Sequence, residues 1–215
     1  MDSHSLHVLC LAGGRLGSGF AARRALVRWL RGLHRFRMRI VYDVEVPDDR
    51  PLAFYSAVVL YLPPNRVTDA TAAALDDYVV GGGALLSIHT AAAADEVSAF
   101  AALLGGRCLA REEGVAFTVQ HAGEPLAAFT QGFPALPAFS LFDELHIHEY
   151  DAENRVHYVT ETESGAEPVA WSRSHGRGRV FYLSPGRRGS TLRNPSVRKI
   201  LQYALTWAVG ADQGS

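Results

Sequence analysis

The sequence predicts an α/β protein whose sheet is flavodoxin-like and mostly parallel, flanked by helices, with an antiparallel or mixed extension towards the C-terminus. Over residues 6–106, short apolar runs alternate with segments whose apolar residues recur at helical spacing, a pattern that indicates βαβ units. After residue 106 the pattern changes to strand-like runs with short connections and little helix. A chain of 215 residues favours one large domain, which we place at 1–210, followed by a tail at 211–215.

In the first half, turn and capping residues mark where the predicted elements begin and end. Thr68 can cap a helix, Asp69 suits the positive end of its dipole, and the glycines from Gly81 onwards stop it. The predicted strands are Leu6–Leu11, Met38–Tyr42, Ala57–Leu62 and Leu85–Ile88. The predicted helices span 17–33, 69–80 and 96–104.

In the second half, five strand-like runs precede one final helix. The runs are Val115–Gln120, Phe139–His148, Val156–Thr160, Pro168–Trp171 and Arg179–Ser184. Asn194 is a good N-cap for the final helix, Pro195 suits its first position, and Gly210 ends it. Its apolar stripe consists of Val197, Ile200, Leu201, Ala204, Leu205 and Ala208.

The composition excludes several classes of function. The formal net charge is −1 at pH 7, so nothing in the charge balance favours nucleic acid or an anionic membrane as a partner. No run reaches the ~18 uninterrupted apolar residues of a membrane span, and we expect no signal peptide. Cys10 and Cys108 are too few for a disulfide framework and are expected to be buried, functionally inert thiols. We therefore expect a cytoplasmic protein with a small-molecule substrate, and leave homo-oligomerisation open.

His89 is the first candidate for chemistry. It follows the buried strand Leu85–Ile88 and precedes Thr90 and three alanines. Ligands of open α/β sheets bind beyond the carboxyl ends of the strands, and a strand-to-helix turn presents the nucleophile in other α/β enzymes. His89 is therefore a candidate catalytic residue with room for a substrate beside it. The alternative is a structural histidine that bonds a backbone carbonyl.

The segment 143–149 is the second candidate. If it is a strand, Glu144, His146 and His148 share one face, and Asp143 lies on the other. Two imidazoles and a carboxylate on one face can hold a divalent metal ion, or can act as a general base and its orienting partner. The same alternation is also typical of a strand edge that faces solvent.

Known motifs for other chemistries are missing from the sequence. Gly13–Gly19 does not have the spacing of a dinucleotide-binding loop, and the sequence contains no Walker loop and no G-x-S-x-G. The turn 175–179, with His175 at its start, can place arginines near an anion, or can be a plain turn with exposed arginines. With these motifs missing, the sequence favours acid–base or metal-assisted chemistry by histidines and carboxylates. We expect no cofactor.

The chain resembles the ThuA-like (trehalose utilisation) family, because a series of short sequence motifs occurs in it in the order found in that family. The resemblance covers roughly residues 55 to 210. The landmarks are the Thr68–Tyr78 helix, Gly81-Gly82-Gly83 with Ser87-Ile88-His89, Leu103-Leu104-Gly105-Gly106, Asp143-Glu144-Leu145, Pro168-Val169-Ala170-Trp171, Gly176-Arg177-Gly178-Arg179-Val180-Phe181-Tyr182 and Leu205-Thr206-Trp207-Ala208-Val209-Gly210. The resemblance implies the fold of class I glutamine amidotransferases, with His89 in place of their cysteine. It also implies catabolism of trehalose and related disaccharides, with keto-sugars as substrates, and no glutamine hydrolysis through a thiolate.

The chain departs from the family pattern at three places. Arg187 stands after Gly186, where many relatives have a histidine. The loop Gly14–Gly19 lacks the histidine that relatives often have after the first strand. His146 stands where relatives tend to have tyrosine. These departures imply a substrate that can differ from a trehalose derivative.

The sequence therefore favours a small-molecule enzyme that acts on a carbohydrate or glycoside-like substrate by elimination, isomerisation or hydrolysis. The predicted catalytic residues are His89, Asp143, Glu144 and His146. The predicted substrate-binding residues are Thr90, His148, His175 and Arg187. We favour a site without metal, because the guanidinium of Arg187 would repel a cation. The alternatives are a metal-dependent hydrolase that uses His146 and His148, and a non-catalytic sugar-binding or partner module.

Overall fold

A computed structural model describes residues 6–13, 19–62, 66–90, 99–123 and 136–210. Several predicted features lie outside the described residues. They are residues 14–18 of the first loop, the alanines after Thr90, the start of the predicted helix at 96, and the tail at 211–215.

The described part of the chain forms one nine-stranded sheet with helices on both faces. The strands are β1 (Leu6–Leu11), β2 (Phe36–Val41), β3 (Ala57–Leu60), β4 (Ala84–Ile88), β5 (Gly106–His121), β6 (Phe139–Tyr150), β7 (Arg155–Thr162), β8 (Gly165–His175) and β9 (Gly178–Leu183). The α-helices are α1 (Phe20–Arg31), α2 (Asp69–Val80), α3 (Ala99–Leu104) and α4 (Pro195–Val209). The strand order is β2-β1-β3-β4-β9-β8-β7-β5-β6.

The sheet is mixed rather than mostly parallel, which corrects the prediction. The pairs β1–β2, β1–β3, β3–β4 and β4–β9 are parallel. The other four pairs between neighbours are antiparallel. The predicted antiparallel extension is therefore as large as the parallel part, because the connections from β6 through β9 are short turns that reverse the chain rather than crossover helices.

The two faces of the sheet carry different helices. The side chains of α1 and α4 pack into one apolar cluster with residues such as Val8 and Phe181, and those of α2 and α3 pack into the other with Leu85 and Tyr182. The helix caps are those expected from the sequence: the Thr68 side chain accepts from the Thr71 amide, and the Asn194 side chain accepts from two amides of α4. No helix among the described residues is long and apolar enough to cross a membrane.

The long strand β5 and its partner β6 form a ribbon that leaves the plane of the sheet. β6 pairs with β5 up to Val119, whereas β5 pairs with β7 only through Gln120 and His121. Register shifts between Cys108 and Ala110 and between Glu112 and Val115 interrupt the ribbon, and such bulges bend a strand. Because of this bend, side chains of β6 reach β8 and β9, which are not its neighbours in the sheet.

Candidate active site

His89 lies at the carboxyl end of β4 with a backbone conformation that is rare for a residue with a side chain. Its φ is 57°, in the left-handed region, and such strain concentrates at functional sites. Its amide donates to the Leu183 carbonyl at 2.7 Å. Gly186 lies so close that a Cβ added there would be 2.9 Å from the Cβ of His89. The turn therefore holds His89 in one position between the ends of β4 and β9.

The hydrogen bonds of His89 determine which of its ring nitrogens is free. Its Nδ1 lies 2.9 Å from the Ser184 carbonyl, which only accepts, so we assign the proton to Nδ1. Burial lowers the pKa of His89, so the ring is neutral at neutral pH and Nε2 carries a lone pair. This buried Nε2 has no hydrogen-bond partner among the described residues. It is an accessible base only if a substrate or water reaches it.

Glu144 and His146 of β6 face this nitrogen. The Glu144 Oε1 atom is 2.8 Å from His146 Nε2 and 3.8 Å from His89 Nε2, and the two imidazole rings stack with centroids 4.8 Å apart. The hydrogen bond from His146 is the main cause that lowers the pKa of Glu144 to about 2. Burial lowers the pKa of His146 to about 4. At neutral pH the pair is therefore a carboxylate and a neutral imidazole whose Nε2–H donates to it.

Two arginines lie on the more open side of the Glu144 carboxylate. Arg187 Nε is 3.8 Å from Oε2 and Arg111 Nε is 4.0 Å from Oε1. Their side chains are 35% and 32% exposed, whereas that of Glu144 is 5% exposed. The site therefore opens to solvent beside two cationic groups, a setting that suits an anion or a developing oxyanion.

Asp143 and Tyr61 hold the loop that carries Arg187. The buried Asp143 carboxylate accepts from the Glu144 amide at 2.8 Å and from the Arg188 amide at 3.2 Å. The Tyr61 hydroxyl donates to the Gly186 carbonyl at 2.9 Å. The Asp143 carboxylate therefore joins β6 to the loop after β9 through backbone amides, and its catalytic role stays a prediction.

His148 points inward from the site. Its Nδ1 is 2.7 Å from Glu167 Oε1, and its Nε2 is 3.2 Å from the Tyr182 hydroxyl. The same hydroxyl is 3.3 Å from His146 Nδ1. Both ring nitrogens of His148 are therefore occupied by protein groups, and its role in substrate binding stays a prediction.

The residues that could hold a metal ion differ from the predicted set. Ligand atoms of His89, Glu144 and His146 lie within 4.8 Å of one another, and two imidazoles with a carboxylate are a suitable donor set for zinc. His148 is not available to complete it, since both of its nitrogens are bonded. The guanidinium groups of Arg187 and Arg111 beside Glu144 disfavour a cation at this position.

Two other predicted substrate contacts lie away from the opening. Thr90 is fully buried, and its hydroxyl accepts from the Leu62 amide and contacts the Leu62 carbonyl, so it joins the ends of β3 and β4. His175 bonds Asp76 at 2.7 Å and pairs with Gly178 at the start of β9. Since β9 runs parallel to β4, His175 lies at the opposite edge of the sheet from His89.

Sequence reasoning missed Arg111, Glu167 and Tyr182 as members of the site. Tyr182 stands inside an apolar run that was recognised only as a strand, and Glu167 precedes another such run. For both residues, the available signal was a titratable side chain in or next to an otherwise apolar strand. Arg111 gave no local signal, because it reaches Glu144 only through the register of the β5–β6 ribbon.

Comparisons with known proteins agree with this architecture. The model of the family described as ThuA, trehalose utilisation, matches residues 18–208. None of the curated proteins matches the chain. Among solved structures, ThuA-like proteins from Bacteroides uniformis ATCC 8492 and Parabacteroides merdae ATCC 43184 are similar at 17% and 15% identity, with TM-scores of 0.78 and 0.74. These alignments cover 99% and 96% of this chain and 96% and 91% of those proteins.

A β-galactosidase from Rahnella sp. R3 has the same fold in only part of its length. The alignment has a TM-score of 0.63 at 10% identity and covers 95% of this chain but 31% of the galactosidase. At such identities the structural likeness shows the fold alone.

Proposed function

The chain belongs to the ThuA (trehalose utilisation) family, and on that premise we propose that it is an enzyme that acts on a carbohydrate or glycoside-like substrate, such as a keto-sugar, by acid–base chemistry. One observation carries the proposal. The unpartnered Nε2 of His89 faces the Glu144 carboxylate at 3.8 Å. Two acceptors at this distance repel each other unless a hydrogen-bond donor, from a substrate or from water, contacts them both.

His89 is the general base of the proposed reaction. Its lone pair on Nε2 is fixed by the bond from Nδ1 to the Ser184 carbonyl, and a neutral imidazole is the form that removes a proton. The ring becomes an imidazolium beside the Glu144 carboxylate, which stabilises the new positive charge. Glu144 in turn is held as a carboxylate by the N–H of His146.

Arg187 and Arg111 stabilise the charge that develops on the substrate. Removal of a proton next to a ketone places negative charge on the carbonyl oxygen, and fixed cationic donors lower the energy of such an enolate. Both guanidinium groups lie within about 4 Å of Glu144, at the open side of the site. An oxyanion there would sit between His89 and the arginines.

A glycoside oxidised to a ketone two carbons from its anomeric centre would react by elimination. His89 Nε2 takes the proton from the carbon between the ketone and the anomeric carbon, and the C–H electron pair forms the enolate. The enolate then expels the anomeric oxygen, which leaves with its bonding pair and takes the proton from the His89 imidazolium. Delivery of the proton to the former carbonyl carbon of the enediolate, with the anomeric group retained and the neighbouring hydroxyl becoming the new ketone, would instead give an isomerisation.

Two other functions have an observation in their favour. A sugar-binding or partner module without catalysis is favoured by the galactosidase, in which this fold is about a third of a larger protein, because a fold does not imply an activity. A metal-dependent hydrolase is favoured by the convergence of His89, Glu144 and His146. The two free cysteines, Cys10 and Cys108, support a cytoplasmic location as a further part of the proposal.

Proton exchange at the carbon next to a ketone tests the proposal directly. The protein is incubated in D₂O with 3-keto-glucosides and with their unoxidised parents, and NMR follows the proton next to the carbonyl and the release of the anomeric group. We expect exchange or release with the ketones only, and a loss of about 100-fold or more in His89→Gln.

His157→Gln is the matched control, because His157 is also buried but bonds Ser172 away from the site. This variant should keep the exchange rate. Absence of exchange and release with all the ketones would overturn the acid–base proposal. Activity that disappears with a chelator would replace it with the hydrolase.

A further inference from the structure

Two consecutive arginines in the loop after β9 contact side chains on one face of β6. Arg187 Nε lies 3.8 Å from Glu144 Oε2, and the guanidinium carbon of Arg188 lies 4.5 Å from the centre of the Phe142 ring. Phe142 and Glu144 are two residues apart in β6, so their side chains share a face of the strand. The two guanidinium groups therefore follow the same strand, with contacts about 7 Å apart along it.

The hydrogen-bond donors of these two arginines are left for a ligand. Among the described residues, no group accepts a hydrogen bond from either guanidinium, since the contact of Arg187 with Glu144 at 3.8 Å is too long to be one. Other half-buried arginines donate to a carboxylate or a carbonyl. They are Arg39, Arg107, Arg173, Arg179 and Arg198. A guanidinium carries five N–H donors and always keeps its charge, so Arg187 and Arg188 can bind an anion at any ordinary pH.

The two oxygens of Glu144 divide the site into two sides. Oε1 lies 2.8 Å from His146 Nε2, 3.8 Å from His89 Nε2 and 4.0 Å from Arg111 Nε. Oε2 faces Arg187 instead. The proposed base is thus on the side of Oε1, and Arg187 is on the other side. Its outer N–H groups are therefore available to a part of the substrate other than the reacting carbon.

Acidic side chains close by do not take up this positive charge. The buried Asp143 carboxylate accepts from the main-chain amide of Arg188 at 3.2 Å, so it faces the backbone of the loop. Glu112 is paired with Leu145 in the β5–β6 ribbon, which places its side chain on the face away from the site. In the part of the chain that the structure describes, no acidic side chain forms an ion pair with the guanidinium of Arg188.

We propose that Arg187 and Arg188 form a subsite for an anionic group of the substrate, so that the enzyme acts on acidic sugars, in which a carboxylate or a phosphate accompanies the ketone. Guanidinium groups bind both anions through parallel N–H···O bonds. Arg187 determines specificity, because an acidic sugar gives its donors a charged acceptor, whereas a neutral sugar leaves them to water. The reaction of such a sugar rests on the proposed function, but the binding of its anion does not.

Unreactive acidic sugars test the subsite without any turnover. Glucuronate, glucose 6-phosphate and neutral glucose are each titrated into ¹⁵N-labelled native protein at constant ionic strength, and NMR follows the arginine Nε–H signals. We expect a saturable shift of the Arg187 signal with at least one acidic sugar, and binding of glucose that is about ten-fold weaker or more. The stronger of the two acidic probes shows whether the subsite takes a carboxylate or a phosphate. Absence of a shift with both would overturn the proposal.

Variants of the two arginines connect the binding to the subsite. Arg187→Gln should weaken binding of the acidic sugar about ten-fold or more, and Arg188→Gln should also weaken it. Arg187→Lys keeps the charge but loses the planar fork, so its affinity should lie between those of the native protein and Arg187→Gln. Arg177→Gln is the matched control, because Arg177 lies before β9 rather than after it and donates to the Gly81 carbonyl. This control should bind as the native protein does. Equal affinities of the native protein and Arg187→Gln would contradict the subsite.

Reaction rates separate this proposal from the proposed function. The native protein should exchange the proton of a methyl 3-keto-glucuronide or a phosphorylated 3-keto-glucoside about ten-fold faster, per substrate concentration, than that of the neutral 3-keto-glucoside. In Arg187→Gln this ratio should fall towards one. Binding of acidic sugars at Arg187 without exchange of any ketone would count against the proposed function alone. Exchange of neutral ketones without binding of acidic sugars would count against the subsite alone.

Discussion

Replacement of His146 by glutamine should flatten the acid side of the stability profile. His146 is fully buried, and burial lowers its pKa from 6.5 to about 4. Below pH 6.5 the unfolded chain therefore binds a proton that the folded protein excludes. The free energy of unfolding falls as the pH drops from 6.5 towards about 4, because stability decreases with acid wherever the unfolded state binds more protons. Glutamine cannot titrate, and its amide can still donate to Glu144.

The size of the effect follows from the two pKa values. The interval from 6.5 to about 4, at about 1.4 kcal/mol per pH unit, corresponds to about 3 kcal/mol in all. By the same relation, about 2 kcal/mol of this is lost between about pH 7 and pH 5. Above pH 5 the carboxylate of Glu144, whose pKa is about 2 in the native protein, stays ionised, and in the variant the glutamine amide and the nearby guanidinium groups of Arg187 and Arg111 favour the same form. The comparison in this range therefore reports the imidazole alone.

Urea unfolding at several values between pH 7 and pH 5 measures the difference. The free energy of unfolding of the native protein should fall more steeply than that of His146→Gln, with the gap between the two slopes adding up to about 2 kcal/mol. His34→Gln, at an exposed position, should run parallel to the native protein. Parallel profiles for His146→Gln and the native protein would refute the reasoning that burial holds this ring neutral.

Four further predictions concern the site and its surroundings. Gly186→Ala should lower proton exchange on keto-sugars about 100-fold, measured by NMR in D₂O, because its Cβ would meet the Cβ of His89 at 2.9 Å and displace the ring. Arg187→Ala should weaken substrate binding or turnover in steady-state kinetics, and metal content should not change. Purified protein should contain well under one equivalent of zinc or manganese by elemental analysis, and activity should survive chelation; stoichiometric metal would favour the hydrolase. A variant without Cys10 and Cys108 should keep its activity, and brief iodoacetamide treatment should not inactivate the native protein, since burial raises the pKa of the Cys10 thiol to about 12.

Local signals in the sequence were sufficient for the helices and for the parallel strands. Thr68 and Asn194 cap α2 and α4 as expected, because a cap depends only on side chains within three residues of it. The strand Leu6–Leu11 was predicted with its observed bounds. The extent of β5 could not be predicted, because its first half is polar and is held as a strand by pairing with β6. This half of the strand is specified by partners 33 to 44 residues away in the chain, from Glu112↔Leu145 to Gly106↔Tyr150, which no periodicity reveals.

Only the part of the candidate site that depends on the geometry of single strands could be predicted from the sequence. The alternation of β6 placed Glu144 and His146 on one face, and the end of β4 placed His89 at the edge of the sheet where ligands bind. That these two places meet depends on the bend of the β5–β6 ribbon, which results from two bulges in β5. His175 was included in the prediction because of its turn, and it lies at the other edge because β8 runs antiparallel to β9.

Arg187 determines the charge of the site together with Arg111 and Glu144. At neutral pH the imidazoles of His89 and His146 are neutral, because burial lowers both pKa values. Glu144 then contributes one negative charge, against the positive charges of Arg187 and Arg111. A site with a surplus of positive charge holds an enolate or another oxyanion better than it holds a divalent cation.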